Sequence, residues 1–421
     1  MSAPGHPPGA PWWASVSRSQ WYALLAAHIG YALDAFDVML YSFALKTIMA
    51  EWSLSASWAG AMVSVTLFFS SLGGVVFGLV ADRLGRKRAM MITVLLFSAC
   101  SGLSGLAQNA WQLMLARAVL GLGMGGEWTA GALLIAESWP AQHRGKAIGI
   151  MQSGWAVGYI LAAIAANLVL PALGWRVLFF IGVTPALFTV WLRARLTEPA
   201  IAASRSPPER GGWGQALIRP LKRDLLRLTL SATLVSGLVM SAYWGLFTWI
   251  PGYFATPVES GGIGLSLAKA PIYTIPVMAG AFAGYVSFGF VSDSLGRRRT
   301  FAAYLSTACV LVFALATINT PNALLMIGPW LGFFGSGYFS AFGTVLAEIF
   351  PTDARAVGLG LSYNTGRMLS AGAPALIGYV ADRGGFFLAL SLIAATFAVA
   401  AAAVFLLPET RGRRLDAAQV Q

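Results

Sequence analysis

The 421-residue chain is 57% hydrophobic and only 10% charged, with a mean hydropathy of +0.70. Soluble domains carry about 25% charged residues, so the composition excludes an ordinary soluble protein and points to an integral membrane one. The net charge of +12 does not indicate nucleic acid, because the basic residues lie in short loops between apolar runs.

Residues 1–20, "MSAPGHPPGAPWWASVSRSQ", are rich in Pro, Gly and Ser and read as a disordered tail. The apolar run that follows is too long for a signal-peptide core and is expected to remain as a first span. Runs long enough to cross a ~30 Å hydrocarbon core fall at 21–45, 57–81, 89–108, 111–137, 145–170, 174–194, 226–254, 268–292, 300–318, 322–349, 356–380 and 385–407. They are continuous rather than alternating, so helices and not barrel strands are predicted. Cys100 and Cys309 lie far apart in such runs, which leaves no disulfide framework and no metal-ligand spacing.

With a cytoplasmic N-terminus, 22 of the 28 Lys and Arg residues fall on the cytoplasmic side. That asymmetry places both termini in the cytoplasm, in a cell whose inner membrane the chain crosses. The polar segment 196–225 divides a six-span bundle at 21–195 from a second at 226–407, followed by a tail at 408–421. Across it the sequence repeats at an offset of 211 residues: "GLVADRLGRKR" (78–88) returns as "GFVSDSLGRRR" (289–299), and "ESWPAQHR" (137–144) as "EIFPTDAR" (348–355). A constant offset over separate motifs marks a duplicated six-helix unit. The fold class expected is therefore all-α, with twelve transmembrane helices in two pseudo-symmetric bundles.

The repeated motifs lie at cytoplasmic span ends. Gly78 and Gly289 are expected to allow close backbone approach. Asp82 ends a helix whose macrodipole repels it, and would sit better against the N-terminus of the eleventh span. With Arg83, Gly85, Arg86, Glu137 and Arg144, and with Asp293, Arg297, Glu348 and Arg355 in the second copy, it reads as a cytoplasmic gate. The bland alternative is that the basic cluster only sets topology. The Glu137–Arg144 and Glu348–Arg355 pairs also read as structural bridges at a helix–turn–helix junction.

These doubled motifs, "RAVLGLGMGGEW" in the fourth span and the C-terminal "PETRG" resemble the major facilitator superfamily over essentially the whole chain. "DAFDVMLYSF", "GMGGEWTAGALLIAESWPAQHRGKAIGIMQSG" and "SYNTGRMLSAGAP" resemble its sialate, monocarboxylate and aromatic-acid proton symporters. The resemblance implies alternating access between two bundles, a substrate held between them, and drive by the proton motive force without a cofactor.

The repeat separates framework from chemistry. Asp34 and Asp37 align with Gly245 and Thr248, Arg367 with Ala156, Arg117 with Gly328, and Glu127 with Tyr338. Every deep charge is thus confined to one half, and intramembrane ionisable groups mark pathways or relays. Arg367 lies about 16 Å into its span at helical rise and requires an anion, from the protein, from a substrate, or from each in turn. Asn364 shares its face. Asp34 and Asp37 are one turn apart, and two close carboxylates in low dielectric cannot both ionise easily; together with Glu127 they are the candidate proton carriers. Arg117 reads as an orienting partner of these acids with a possible place at the substrate. His28 is a weaker titratable candidate, and Tyr363, Gln152, Tyr243, Trp128 and Tyr338 are candidate substrate contacts.

The expected function is proton-coupled uptake of a small organic acid anion by a monomer in the lipid bilayer, with no nucleic acid and no metal. A drug–proton antiporter and a non-transporting sensor on the same scaffold are the alternatives. No nucleophile elbow, phosphate loop or metal cluster supports an enzyme.

Overall fold

A computed structural model describes residues 13, 16–84, 86–139, 143–194, 218–266, 269–318, 320–351 and 354–411. Most of the expected N-terminal tail, Gly85, and the side chains of Asp82, Arg83, Arg86, Glu137 and Arg144 lie outside the described residues.

The first half contains α1 (Arg18–Trp52), α2 (Ala56–Leu84), α3 (Arg86–Gly105), α4 (Ala110–Ser138) and α5 (Arg144–Ala194). The second contains α6 (Arg223–Phe247), α7 (Ile250–Ala255), α8 (Ala270–Leu295), α9 (Arg297–Thr317), α10 (Pro321–Ser336), α11 (Phe339–Ile349), α12 (Arg355–Ser370) and α13 (Ala373–Ala403). These build twelve spans. α5 supplies the fifth and sixth, joined at Gly174, while α6 with α7, α10 with α11, and α12 with the start of α13 each form one interrupted span. The helices cross between an end that carries both termini, called here the termini end, and an opposite far end.

The chain starts α1 with a capping box, in which Ser17 Oγ accepts from Gln20 N and Gln20 Oε1 accepts from Ser17 N. Two further caps repeat at the offset of the duplication. Asn109 Oδ1 accepts from Gln112 N at the start of α4, and Thr320 Oγ1 accepts from Ala323 N at the start of α10. Glycine contacts repeat in the same way. A Cβ at Gly73 would strike the Leu122 carbonyl, and one at Gly284 the Phe333 carbonyl. Gly121 faces Thr66 as Gly332 faces Val277. Each pair differs by 211, so the α2/α4 crossing is rebuilt as the α8/α10 crossing. Helices packed in lipid gain from such close backbone contact because hydrocarbon gives them no hydrophobic drive. The turn between spans five and six uses Gly174 at φ 75°, and that between eleven and twelve uses Gly385 at φ 72°, a left-handed conformation that favours glycine.

Among the described residues the close approach expected at Gly78 is not present: an added Cβ there would meet no described atom within 4 Å, and at Gly289 only the Gly145 carbonyl at 3.9 Å. The tight crossings fall deeper in the helices instead. In the second half, Asp293 and Glu348 both bind the Arg297 guanidinium, at 2.5 and 3.3 Å, and Thr410 Oγ1 donates to Glu348 at 2.5 Å. Arg355 Nε donates to the Ala347 carbonyl at 2.9 Å. These contacts all stay within one half, where they tie the ends of α8, α9, α11 and the C-terminal segment together.

Glu409 completes that staple. Its carboxylate accepts from the backbone N–H groups of Arg297 (2.9 Å), Arg298 (3.2 Å), Thr410 and Arg411 (both 3.0 Å), and so caps α9 beyond Gly296. Partial burial pushes the carboxyl up, but the four backbone donors outweigh it and hold it below the ordinary value of 4.5. A carboxylate stabilised in the folded state adds stability above its unfolded pKa and loses it as pH falls through the depressed folded value. Glu409→Gln is therefore expected to lower the melting temperature in detergent at pH 7, with the gap to the parent protein closing as pH is taken below about 4.5. A gap independent of pH would contradict the assignment.

Candidate functional site

Polar side chains inside a bundle need partners, and the two halves meet where several are supplied. A central cavity lies between them. Its wall draws on Tyr31 and Asp34 of α1, Met124 and Trp128 of α4, and Trp155 of α5. The other half contributes Tyr243 and Trp244 of α6, Tyr285 of α8, Phe339 of α11, and Tyr363 and Arg367 of α12.

Arg367 is buried, at 4% exposure. Its Nη1 donates to Ser70 Oγ of α2 at 2.9 Å, and its Nη2 to Tyr363 Oη at 3.0 Å. The guanidinium also lies 4.8 Å from the centre of the Tyr363 ring. No described carboxylate lies within ion-pair distance of it. Asp34, at 1% exposure, has no hydrogen-bond partner on either carboxylate oxygen among the described residues. It stands within electrostatic reach of Glu127, Arg367, Asp37 and Arg117. The cavity is thus bounded by a guanidinium held by hydroxyls and by a carboxyl group held by nothing.

The remaining wall is aromatic. Trp128 and Tyr363 stack across the halves with centroids 3.9 Å apart and planes 8° from parallel. Trp128 Nε1 donates to Gln152 Oε1 at 2.8 Å, which fixes the indole against α5. Trp155 meets Trp244 edge to face at 5.6 Å, and its indole N–H has no hydrogen-bond partner. Asn364 donates to the Gly360 carbonyl at 3.0 Å, leaving its Oδ1 without a partner beside Gly74 of α2.

The other candidates occupy different places. Asp37 and Arg117 form a second buried group inside the first half, off the cavity wall. Asp37 Oδ1 accepts from Ser101 Oγ of α3 and its Oδ2 has no partner. Arg117 Nη2 donates to the Val38 carbonyl at 3.4 Å, the guanidinium lies 5.2 Å from the Tyr41 ring centre, and Nε and Nη1 have no hydrogen-bond partner among the described residues. The two are electrostatic neighbours without an ion-pair contact. Glu127 is buried on α4 and accepts from Thr93 Oγ1 at 3.3 Å. Tyr338 is buried among Phe301 and Phe339, in the core of the second half. His28 Nδ1 donates to the Ile150 carbonyl at 2.8 Å. Sequence reasoning did not single out Ser70, Trp155, Tyr285 or Phe339. Ser70 carries no sequence signal of its own, whereas the three aromatics are ordinary membrane-helix residues until the fold aims them inward.

Comparison with known proteins agrees with this architecture. The Major Facilitator Superfamily model matches residues 27–328 and 258–420. A probable 4-methylmuconolactone transporter of Cupriavidus pinatubonensis is 34% identical over 96% of this chain and 94% of that protein. A cis,cis-muconate transport protein of Acinetobacter baylyi is 32% identical over 89% of this chain and 91% of its own length. The crystal structure of a D-xylose–proton symporter superposes with a TM-score of 0.73 at 20% identity, covering 93% of this chain and 99% of that one. The two six-span halves and their repeated glycine crossings are those of a multi-pass membrane transporter, not an enzyme, and the chain belongs to the Major Facilitator Superfamily.

Proposed function

We propose that the protein is a proton-coupled importer of a small organic acid anion, working by alternating access in the inner membrane with both termini cytoplasmic. The observation that carries this reading is the placing of Arg367, held by two hydroxyls, and of Asp34, without a hydrogen-bond partner among the described residues, on the wall of one central cavity. A guanidinium cannot deprotonate and presents a fork that matches a carboxylate. A substrate carboxylate bound there supplies the anion that no described protein group supplies. Asp34 is the group assigned to carry the coupling proton, because a carboxyl without partners in a low-dielectric enclosure is costly to keep ionised. Asp37, with Ser101 and Arg117 behind it, continues the polar path deeper into the first half.

The stacked Trp128–Tyr363 pair and the Trp155–Trp244 pair give the cavity flat apolar faces beside its one cation. That combination suits an acid with a flat unsaturated or aromatic body better than a polyhydroxylated one. One relative is named as a transport protein for cis,cis-muconate, an unsaturated acid anion, which supports the same substrate class here. An intramembrane arginine suits export of lipophilic cations poorly.

Uptake into proteoliposomes with an imposed pH gradient tests the reading, with cis,cis-muconate, benzoate, lactate, pyruvate and sialate as substrates. Accumulation abolished by a protonophore is the expected result; drug efflux with no acid uptake would sink it. Arg367→Lys is expected to weaken binding of the transported acid by about 100-fold, from loss of the bidentate fork. Asp34→Asn is expected to keep exchange of labelled for unlabelled acid while losing accumulation against a gradient. Transport at the parent level by Arg367→Ala, or accumulation by Asp34→Asn, contradicts the scheme.

Stability separates a binding arginine from a structural one. Breaking a buried ion pair costs about 3–5 kcal/mol, whereas Arg367 makes no ion-pair contact with a described carboxylate, and Asp34 can take up a proton when the guanidinium is removed. Arg367→Met is expected to alter thermal stability by no more than about 1–2 kcal/mol, the scale of two rearranged hydroxyls. A loss of the full ion-pair size in detergent melts would show that Arg367 is a strut.

A further inference from the structure

The seam between α2 and the eleventh span runs the depth of the protein and changes character along it. At the far end the two backbones touch: Gly60 lies against Pro374, and Gly378 against Ala56, with no room for a Cβ at either. One turn deeper, Ala375 N donates to Ser64 Oγ at 3.2 Å. The Arg367–Ser70 bond follows, and then the contact of Asn364 with Gly74. Further on, a Cβ at Gly78 or at Gly360 would meet no described atom within 4 Å. The far end is closed along this seam.

Asp382 sits at the closed extremity. Its Oδ1 accepts from Ala56 N at 3.0 Å, and its Oδ2 from Ser57 N at 2.8 Å and Ser57 Oγ at 2.6 Å. Ala56 and Ser57 open α2, where backbone N–H groups lack intrahelical acceptors and the macrodipole is positive. Asp382 itself lies near the C-terminal end of its own span, just before the Gly385 turn, where its own helix disfavours a negative charge. The carboxylate is therefore stabilised by the opposite half of the protein. Lys46 of α1 adds to the same junction, within electrostatic reach of Asp382 and 6.0 Å from the Phe386 ring centre. The duplication does not demand this arrangement, because Asp382 aligns with Pro171.

We propose that Asp382 is the far-side latch of the transport cycle, clasping the N-terminus of α2 while the far end is closed and releasing it when the far end opens. Three charge-assisted hydrogen bonds cross between the halves at this one residue, and all must break together when Ala56 moves away. The latch acts on the equilibrium between the two access states and does not touch substrate. It stands independently of which acid is carried.

The test is a distance measurement between spin labels on far-end loops of the two halves. Leu106→Cys and Ile318→Cys serve as sites, exposed at 62% and 50%, in a background with Cys100→Ala and Cys309→Ala. In lipid nanodiscs without substrate, the parent protein is expected to show a dominant short distance. Asp382→Ala is expected to raise the ratio of long to short distances by about tenfold or more, the scale of hydrogen bonds to a charged group. Asp382→Asn, which keeps an acceptor without the charge, should fall between, and Ser57→Ala should give the smallest shift, about two- to threefold. An unchanged distribution in Asp382→Ala overturns the proposal. If that variant does not fold, no shift in both Asp382→Asn and Ser57→Ala overturns it equally. Because the readout needs no substrate, its failure is distinguishable from failure of the carboxylate assignment.

Discussion

A guanidinium in the middle of a membrane protein has five donors and no water to take them. Arg367 meets this constraint with one hydroxyl from each half: Ser70 of α2 and Tyr363 of its own helix. Much else follows from that choice. The bond to Ser70 sits midway along the α2 seam, inward of the closed far end. The bond to Tyr363 fixes a ring that is itself stacked on Trp128 of the opposite half. On the proposed assignment, an arriving anion meets the three N–H donors that these hydroxyls leave unused, beside two contacts that cross or adjoin the interface.

The duplication shows which features belong to the frame. The caps at Asn109 and Thr320, the left-handed turns at Gly174 and Gly385, and the glycine crossings all recur at the common offset. The chemistry does not recur. Where the first half carries Asp37 and Glu127 on unbroken helices, the second half breaks its spans, at Thr248 between α6 and α7 and at Gly337–Tyr338 between α10 and α11. Irregular backbone within a membrane survives only when buried in protein or lining a cavity, and both breaks are buried. One half supplies acids and continuous rods. The other supplies Arg367 and interrupted rods.

Spans, duplication and deep charges were legible in the sequence because each is a local signal: an apolar run, a repeated string, a charge where charge is costly. Partners across the halves were not legible. Ser70 is one of several serines in α2, and only packing selects it for Arg367. Arg117 shows a subtler limit. It lies eleven residues before Trp128 and shares its helix face to within about 20°, so periodicity alone places both toward the cavity. Depth separates them: three turns, about 16 Å along the axis, carry Arg117 past the cavity and into the first bundle beside Asp37. The gate residues divide similarly. In the second half, motif spacing brought Asp293, Arg297 and Glu348 together, yet these ion pairs stay inside one half, because spacing records adjacency and not which body the neighbour belongs to. The cross-half carboxylate that the structure does show is Asp382, which carries no repeat and no motif.

On the proposed assignment, coupling follows from charge balance in the enclosed cavity. With Asp34 ionised and no substrate, Asp34 and Arg367 sum to zero. With Asp34 protonated and an acid anion on Arg367, the sum is again zero. The two half-loaded states are not neutral: anion without proton leaves one net negative charge, and proton without anion leaves the Arg367 charge unbalanced. Enclosing an uncompensated charge in low dielectric costs several kcal/mol even after relaxation, so the half-loaded states close and reorient far less often than the neutral ones. No direct contact between the two residues is required for this, and none is observed. Proton and anion are linked through the net charge of a small cavity, which explains why an arginine and an aspartate can cooperate across it while each keeps different neighbours.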